Sequence, residues 1–267
     1  MKRTLLACTA AAVLVITGCN KDDKQVSTVI KSYSHSLVQN GIVTALHDKV
    51  PVFDEKGRIS TVTTDSYFTS DKDNILKLQS HSTSTYTYNE SGHTGVRVDN
   101  TDGELDFSGI PTVTTLSFDD SWNLSSSVFE LSELRSVESY TYEACRVTSF
   151  TRGGTTYENT YTVTWENGDI VSLASDAETI TISYLPEENP FKEGLDPTLF
   201  DITSDNYMYR LTGSHSAHLP ASHTTTFKGN TTVCRYEYKK DADGRIIEIN
   251  TIPEGGSTSS YSLGIKY

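Results

Sequence analysis

The chain has 267 residues, of which 36% are hydrophobic and 10% aromatic, which argues against a disordered chain and allows one large all-β domain or two small ones. Its formal net charge of −13 becomes −13 − 2 = −15 when Lys2 and Arg3 are removed with the first 18 residues. A surface this acidic repels phosphate backbones, so we expect no nucleic-acid partner.

The N-terminus has the layout of a secretory signal. Lys2 and Arg3 precede an apolar run from Leu5 to Ile16, which is too short to span a membrane. We therefore predict that residues 1–18 are a signal peptide. Their end, Ile16-Thr17-Gly18-Cys19, resembles the lipobox of bacterial lipoproteins. The resemblance implies cleavage before Cys19, which would then carry diacylglycerol and an amide-linked acyl chain such as palmitate. A secreted protein with a chance cysteine is the alternative.

Residues 19–28 are predicted to be a lipidated tether, since they are polar and have no periodicity. Lys21, Asp22 and Asp23 are similar to the tag that some Gram-negative anaerobes use to export lipoproteins to the cell surface. That similarity implies a lipid-anchored, surface-exposed outer-membrane protein. A solvated tether of mixed charge is the simpler interpretation.

From residue 29 onward, hydrophobic and polar residues alternate at period two, which predicts β-strands. Hairpin turns are expected at Gly57, at Gly92, near Asp119–Asn123, at Asn167-Gly168 and at Asp243-Gly244. Gly92, Gly168 and Gly244 are spaced equally, by 168 − 92 = 76 and 244 − 168 = 76 residues. This spacing suggests β-hairpin repeats, although three glycines are also compatible with coincidence.

One segment interrupts the strand pattern, near residues 186–220. Asp196 followed by Pro197 is a typical helix start, so we predict a loop with a short helix there. Apolar residues of this segment are expected to cover one end or face of the sheet; they are Leu195, Leu199, Phe200, Tyr207 and Leu211.

Several features of the C-terminal half occur in a characteristic order. They are Ile182-Ser183-Tyr184, Asn189-Pro190-Phe191, Leu211-Thr212-Gly213-Ser214, Leu219-Pro220, the stretch from Tyr236 to Gly244 and the closing Gly264-Ile265-Lys266-Tyr267. In this order they resemble an uncharacterised family of bacterial envelope lipoproteins, a domain of unknown function with a porin-like β fold. The tyrosine-rich hairpins also look like YD-type repeats of secreted proteins. The resemblance implies a lipid-anchored antiparallel β structure and no activity.

Aromatic residues recur at period two and therefore share a face within each strand. The candidate binding residues are Tyr86, Tyr88, Trp165, Tyr236 and Tyr238. If that face were exposed, its rings would stack on sugars or hold a peptide strand. Packing in the core is the interpretation that the sequence favours, because large apolar rings are usually buried.

No reactive motif stands out. We expect Cys145 and Cys234 to be two buried, unpaired thiols; a disulfide between them is the alternative, if their strands meet. His215, His218 and His223 have a spacing that neither a helix nor a strand requires, so we expect spare loop histidines and no metal site. No hydrolase or nucleotide motif is present, and we expect neither a cofactor nor an enzyme.

Together these features predict an all-β protein: an antiparallel meander curled into an open or closed barrel-like sheet. Residues 29–267 would form one domain, with a possible subdivision near residues 135–140. The predicted function is a non-enzymatic outer-membrane module that binds a glycan, a peptide or a partner protein, or that shapes the envelope. The alternative is a periplasmic carrier of an amphiphile in a β-barrel concavity. A membrane-spanning porin is disfavoured, because the charged residues leave no regular apolar band.

Overall fold

The computed structural model describes residues 30–69, 75–103, 110–131, 134–144, 146–191, 215–255 and 259–267. Their strands form one antiparallel sheet that closes into a barrel when β1 pairs with β16. Every strand lies between its neighbours in sequence, so the sheet is a simple meander. The all-β prediction is confirmed, and of its two forms the closed one is observed.

The strands alternate in direction around the barrel. Their bounds are β1 Ser32–Gln39, β2 Ile42–Phe53, β3 Ile59–Thr69, β4 Leu76–Asn89, β5 Thr94–Gly103, β6 Thr112–Phe118, β7 Leu124–Leu131, β8 Leu134–Glu143, β9 Arg146–Gly154, β10 Glu158–Glu166, β11 Asp169–Ala174, β12 Glu178–Glu188, β13 His218–Phe227, β14 Asn230–Lys240, β15 Ile246–Pro253 and β16 Ser259–Lys266. A short 3-10 helix, Glu90–Gly92, joins β4 to β5. Strand β8 pairs with both β7 and β9, so the sheet is continuous at residues 135–140.

The Asn167-Gly168 turn has the two-residue form expected of it. Glu166 pairs directly with Asp169, and both turn residues have positive φ, 52° and 92°. The Asp243-Gly244 hairpin is present but its turn is longer than two residues. It runs from Asp241 to Arg245, and the Asp241 Oδ1 atom accepts hydrogen bonds from two turn amides at 2.9 Å. The turn is therefore a longer loop capped by the Asp241 side chain, in place of the tight two-residue loop that was predicted.

The equal spacing of Gly92, Gly168 and Gly244 does not correspond to an equal number of strands. Six strands separate the first two turns, β5 to β10, whereas four separate the second and third, β11 to β14. The long connection between β12 and β13 makes up the remaining length. The period of 76 residues is therefore not a period of the barrel.

The connection between β12 and β13 begins and ends in the core. Asn189 and Ser216 are fully buried, and the Asn189 Nδ2 atom donates to the Ser216 carbonyl at 3.1 Å. The Asn189 amide also donates to the Ala217 carbonyl at 2.8 Å. These bonds join the two ends of the segment. The predicted helix at Asp196 and the apolar residues from Leu195 to Leu211 lie outside the described residues.

Residues that pair across strands point to the same side of a sheet, and neighbours along a strand point to opposite sides. One side carries nearly all of the buried hydrophobic side chains, so it faces the barrel axis. We call it the inner wall. The opposite side, the outer wall, presents mainly threonine, serine and charged residues. Examples are Thr83, Thr85 and Thr87 on β4, Thr160, Thr162 and Thr164 on β10, and Glu237 and Lys239 on β14.

Eight aromatic side chains mark one end of the barrel, which we call the aromatic end. Each lies at or near the last residue of an even-numbered strand and packs against a core cluster; they are Phe53, Tyr88, Phe118, Tyr142, Trp165, Tyr184, Tyr238 and Tyr267. Six of them also donate to a backbone carbonyl near the start of the preceding strand, at 2.6–2.9 Å. These bonds fix the rings over the end of the barrel and satisfy buried carbonyl groups.

Removing one of these hydroxyl groups is expected to destabilise the barrel. The Tyr184 hydroxyl donates to the Ile170 carbonyl at 2.6 Å and lies 2.7 Å from the Ser216 Oγ atom. We expect Tyr184→Phe to lower the free energy of unfolding by about 1–3 kcal/mol, because buried polar groups lose a partner. Tyr157→Phe is the control, since Tyr157 is largely exposed. Equal urea midpoints for the two variants would contradict the role assigned to these bonds.

The part of the chain that the structure describes contains no helix with the length and apolar character that a membrane crossing requires.

Candidate functional site

Between apolar residues at its two ends, the inner wall of β1–β6 carries a group of polar residues, which we call the polar sector. Successive strand pairs bring its residues side by side; His35 pairs with His47, Lys49 with Tyr33 and Thr64, and Arg97 with Thr114. Its members are His35, His47, Lys49, Thr64, Ser66, Ser80, Ser82, Ser84, Arg97, Asp99, Thr101, Thr112 and Thr114. Such residues are unusual on the inside of a barrel whose outer wall is also polar.

The inner wall of β9–β16 is mostly apolar, and we call it the apolar sector. It contains Val147, Phe150, Tyr161, Val163, Leu173, Ile180, Ile182, Tyr236, Ile249, Leu263 and Ile265, all of them buried. In a ring of sixteen strands β9–β14 lie opposite β1–β6. The barrel therefore encloses two chemically different surfaces, which is the arrangement that an amphiphilic molecule matches.

Two histidines dominate the part of the polar sector on β1 and β2. The rings of His35 and His47 lie 6.4 Å apart, and Tyr261 stacks on His35 at 5.7 Å. Burial, His47 and Lys49 lower the pKa of His35 to about 4. Burial and Lys49 also lower the pKa of His47, whose Nδ1 atom lies 2.9 Å from the Ser66 Oγ atom. Both rings are thus neutral at pH 7, and both interact electrostatically with the positive charge of Lys49.

Arg97, Asp99 and Thr114 form the second part of the polar sector, on β5 and β6. The Arg97 Nε atom donates to Asp99 Oδ2 at 3.0 Å, so the two charges balance. Among the described residues, the Asp99 Oδ1 and Thr114 Oγ1 atoms have no hydrogen-bond partner although both are buried. Thr114 is only 3% exposed. Buried polar atoms of this kind ordinarily bind water or a ligand.

A third polar cluster borders the apolar sector on β8–β12. The Arg152 Nε atom donates to Glu138 Oε1 at 2.8 Å, and the Tyr140 hydroxyl donates to Glu138 Oε2 at 3.0 Å. The Tyr161 hydroxyl donates to Glu178 at 2.9 Å. Burial and Glu178 raise the pKa of Tyr161, so its hydroxyl stays protonated. The acids of this cluster are hydrogen-bonded on the side of the barrel away from His35 and His47.

The end of the barrel opposite the aromatic end carries an apolar rim. Ten of the twelve exposed large hydrophobic side chains among the described residues lie there; they are Ile42, Phe68, Ile75, Leu78, Ile110, Val113, Leu134, Tyr157, Phe227 and Tyr261. We call this the rim end. Scattered surface hydrophobics are ordinary, but their concentration at one end of the barrel points to contact with apolar molecules.

All five aromatic residues predicted as binding candidates lie on the inner wall. Tyr86 and Tyr236 are buried in the apolar core. The hydroxyl groups of Tyr88 and Tyr238 and the Trp165 Nε1 atom donate to backbone carbonyls at the aromatic end. The structure therefore places these rings in core packing, Trp165 in one core cluster and the four tyrosines in the other, and they form no stripe on the outer wall.

The predicted histidine loop is only partly a loop. His218 begins β13, where its Nδ1 atom lies 2.8 Å from the Asp169 carboxylate, and His223 lies within β13. His223 is buried 2.7 Å from the Tyr236 hydroxyl, and burial lowers its pKa. His218 and His223 thus have structural hydrogen bonds. No group of three or more possible metal ligands occurs in the described ranges.

The remaining predicted site residues are tested less directly. Cys234 is buried on the inner wall of β14, whereas Cys145 lies outside the described residues, so the expectation of two buried thiols and its alternative, a disulfide, both stay predictions. Cys19, Lys21, Asp22 and Asp23 also lie outside the described residues.

None of the residues of the polar sector was among the site residues predicted from the sequence. A signal for it exists, because His35 alternates with serines in β1 and His47 and Lys49 alternate in β2. Sequence alternation alone does not say which of the two faces is inside.

Comparison with solved structures identifies the fold. The barrel is similar to a porin-like protein from Bacteroides uniformis, with a TM-score of 0.68 and 13% sequence identity over 90% of this chain and 98% of that chain. A porin-like protein from Bacteroides vulgatus also aligns, over 90% of this chain and 99% of that chain, with 10% identity and a TM-score of 0.28. No family model and no curated protein matches the chain. The first likeness shows a porin-like β-barrel fold, as the sequence resemblance implied.

Proposed function

We propose that this protein is a lipid-anchored, non-enzymatic protein of the cell envelope that binds an amphiphilic molecule inside its barrel. The single observation that carries the proposal is the division of the inner wall into a polar sector and an apolar sector. One half can solvate a headgroup while the other covers an acyl or similar chain. The apolar rim favours access from the rim end, since the aromatic end is filled with packed rings.

Envelope location is supported by the sequence. The Ile16-Thr17-Gly18-Cys19 pattern favours acylation of Cys19, and Lys21-Asp22-Asp23 favours export to the cell surface. In the structure, β1 begins at the aromatic end.

The polarity of the walls argues against a membrane-spanning pore. Membrane-spanning barrels present an apolar band to lipid and a polar surface to the channel. Here the outer wall consists mainly of threonine, serine and charged residues, whereas the leucine, isoleucine and aromatic residues of the core face inward together with the polar sector. An outer wall of this composition favours contact with water over contact with lipid. Binding of a glycan or peptide to the outer wall is the second candidate, but the predicted aromatic residues do not form its surface.

A matched pair of variants tests binding inside the barrel. Thr225 pairs with Ile180 and faces inward, whereas its neighbour Thr226 pairs with Thr179 and faces outward. We expect Thr225→Asp to weaken binding of monohexadecanoylglycerol, a neutral amphiphile, by about tenfold or more, because it places a charge beside the chain. Thr226→Asp should bind as the native protein does, measured by calorimetric titration. Equal losses in both variants, or no binding by the native protein, would overturn the proposal.

A further inference from the structure

We infer that the polar sector binds a neutral polyhydroxylated headgroup, a glycerol or a sugar, and that Asp99 and Thr114 recognise its hydroxyl groups. The inference rests on the proposed function and adds the chemistry of the headgroup to it. The site lies on the inner wall of β5 and β6, where Asp99 pairs with Thr112 and Thr114 pairs with Arg97.

The Asp99 carboxylate is the first argument. Its Oδ2 atom accepts from the Arg97 Nε atom at 3.0 Å, whereas its buried Oδ1 atom has no hydrogen-bond partner among the residues that the structure describes. A buried carboxylate oxygen without a donor is costly, so the group that completes this site must donate a hydrogen bond. An ammonium group would also donate, but Arg97 already balances the charge of Asp99. A hydroxyl group supplies the donor without adding charge.

The buried hydroxyl group of Thr114 is the second argument. Thr114 is only 3% exposed, and within the described ranges its Oγ1 atom has no hydrogen-bond partner. It is a diagonal neighbour of Asp99 on the same wall, because Asp99 pairs with Thr112, two residues before it. Diagonal neighbours of an antiparallel pair lie about 7–8 Å apart, a separation that one glycerol or sugar group can bridge. Since a hydroxyl group both donates and accepts, a second hydroxyl of the headgroup can satisfy Thr114 in either role.

Further hydroxyl side chains surround Asp99 on the inner wall. Ser84 on β4 and Thr112 on β6 pair with Asp99 directly, and Thr101 lies two residues away on β5. These side chains both donate and accept hydrogen bonds, as the hydroxyl groups of a polyol do. A headgroup with several hydroxyl groups therefore has partners beyond Asp99 and Thr114.

Space for a ligand lies in front of these residues. Ser84, Asp99 and Thr112 are only half-buried although they face the barrel axis, and the Asp99 side chain is 20% exposed. Because the inner wall faces the inside of the barrel, this exposure means that the described protein does not fill the region beside Asp99. Phe129 of β7 pairs with Thr114, so an apolar side chain borders the site. In the ring of strands, β5 and β6 lie opposite β13 and β14 of the apolar sector, towards which an acyl chain can extend.

Four ligands with a sixteen-carbon chain test the inference by calorimetric titration below their micelle concentrations. Monohexadecanoylglycerol and hexadecyl β-glucoside carry hydroxyl groups, the dimethyl ether of monohexadecanoylglycerol carries none, and hexadecylamine carries a positive charge. We expect the native protein to bind monohexadecanoylglycerol about tenfold or more tightly than its dimethyl ether and than the amine, because hydrogen bonds to a charged group supply such a factor. Tighter binding of the glucoside than of the glycerol lipid would identify a sugar as the source of the hydroxyl groups, and weaker binding a glycerol.

Thr114→Val should weaken binding of monohexadecanoylglycerol by about tenfold and leave binding of its dimethyl ether unchanged. Its urea midpoint should not fall, because the hydroxyl group that is lost has no partner in the described part of the protein. Thr115→Val is the matched control, since Thr115 is exposed on the outer wall of the same strand. Asp99→Asn should also weaken binding of monohexadecanoylglycerol, because a neutral amide oxygen is a weaker acceptor than a carboxylate oxygen.

The outcomes separate the inference from the proposed function. If the native protein binds the dimethyl ether as tightly as monohexadecanoylglycerol, or binds the amine more tightly, the inference is wrong and the proposed function stands. The same holds if either Thr114→Val or Asp99→Asn keeps the native preference. If the native protein binds none of the four ligands, the proposed function fails as well.

Discussion

Replacing Ile170 with alanine is expected to lower the free energy of unfolding by about 3 kcal/mol, because the substitution leaves a cavity that the rigid sheet cannot close. Ile170 is completely buried, and it packs with Leu173 and Ile180 in the core of β9–β12. Its backbone remains in place, so the hydrogen bond from Tyr184 is kept and the measured effect is that of the side chain. Urea unfolding followed by circular dichroism measures it.

Val52→Ala is the control for this prediction. Val52 is 52% exposed on the outer wall near the same end of the barrel, so its truncation should change the free energy of unfolding by less than about 0.5 kcal/mol. If the two variants were equally stable, the assignment of inner and outer walls would be wrong.

Acidification is expected to destabilise the barrel through His35. Its pKa of about 4 in the folded protein is below the ordinary value of 6.5, so the unfolded chain binds a proton more tightly than the folded one. The contribution of neutral His35 to the free energy of unfolding is complete above pH 6.5 and is lost as the pH falls towards 4. It amounts to at most about 3 kcal/mol, from 1.36 kcal/mol for each pKa unit.

His35→Asn isolates this contribution, since asparagine does not titrate. Between pH 7 and pH 4 the variant should lose less stability than the native protein in urea unfolding experiments. His81→Asn serves as the control, because His81 is exposed on the outer wall beside Asp65. Parallel pH profiles for the native protein and His35→Asn would refute the explanation.

The turns of this barrel were predictable because their signals are local. Asn167-Gly168 needs positive φ at both positions, and asparagine and glycine tolerate it better than other residues. Asp119 was also predictable as a turn residue, and its carboxylate accepts the amides of Ser121 and Asn123 at 2.9 Å. Alternation between such turns was sufficient to predict an antiparallel all-β meander.

Closure of the barrel was not predictable in the same way. It depends on the pairing of Tyr33 with Ile265, which are separated by almost the whole chain, and no turn signal joins them. Alternation gives two faces for each strand, but only closure decides which face is inside. The aromatic residues Tyr86 and Tyr236 were therefore compatible with an outer binding surface until the sheet closed around them.

The candidate site depends on this closure too. His47 belongs to a strand with hydrophobic residues on both faces, for example Ala45 and Leu46, so period two does not distinguish its inner from its outer positions. Asp48, between His47 and Lys49, faces outward, where its Oδ1 atom accepts from Ser34. A polar sector on the inner wall could thus be recognised only after the strands were placed in a ring.

Quenching of tryptophan fluorescence by a fatty acid brominated at its methyl end tests the central claim most directly. Trp122 and Trp165 are the only tryptophans of the chain, and both pack against the core at the aromatic end. If the acyl chain lies along the apolar sector, its methyl end approaches them, and we predict saturable quenching that Thr225→Asp abolishes. Saturable binding without quenching, or quenching that Thr225→Asp leaves unchanged, would place the ligand outside the barrel and contradict the account.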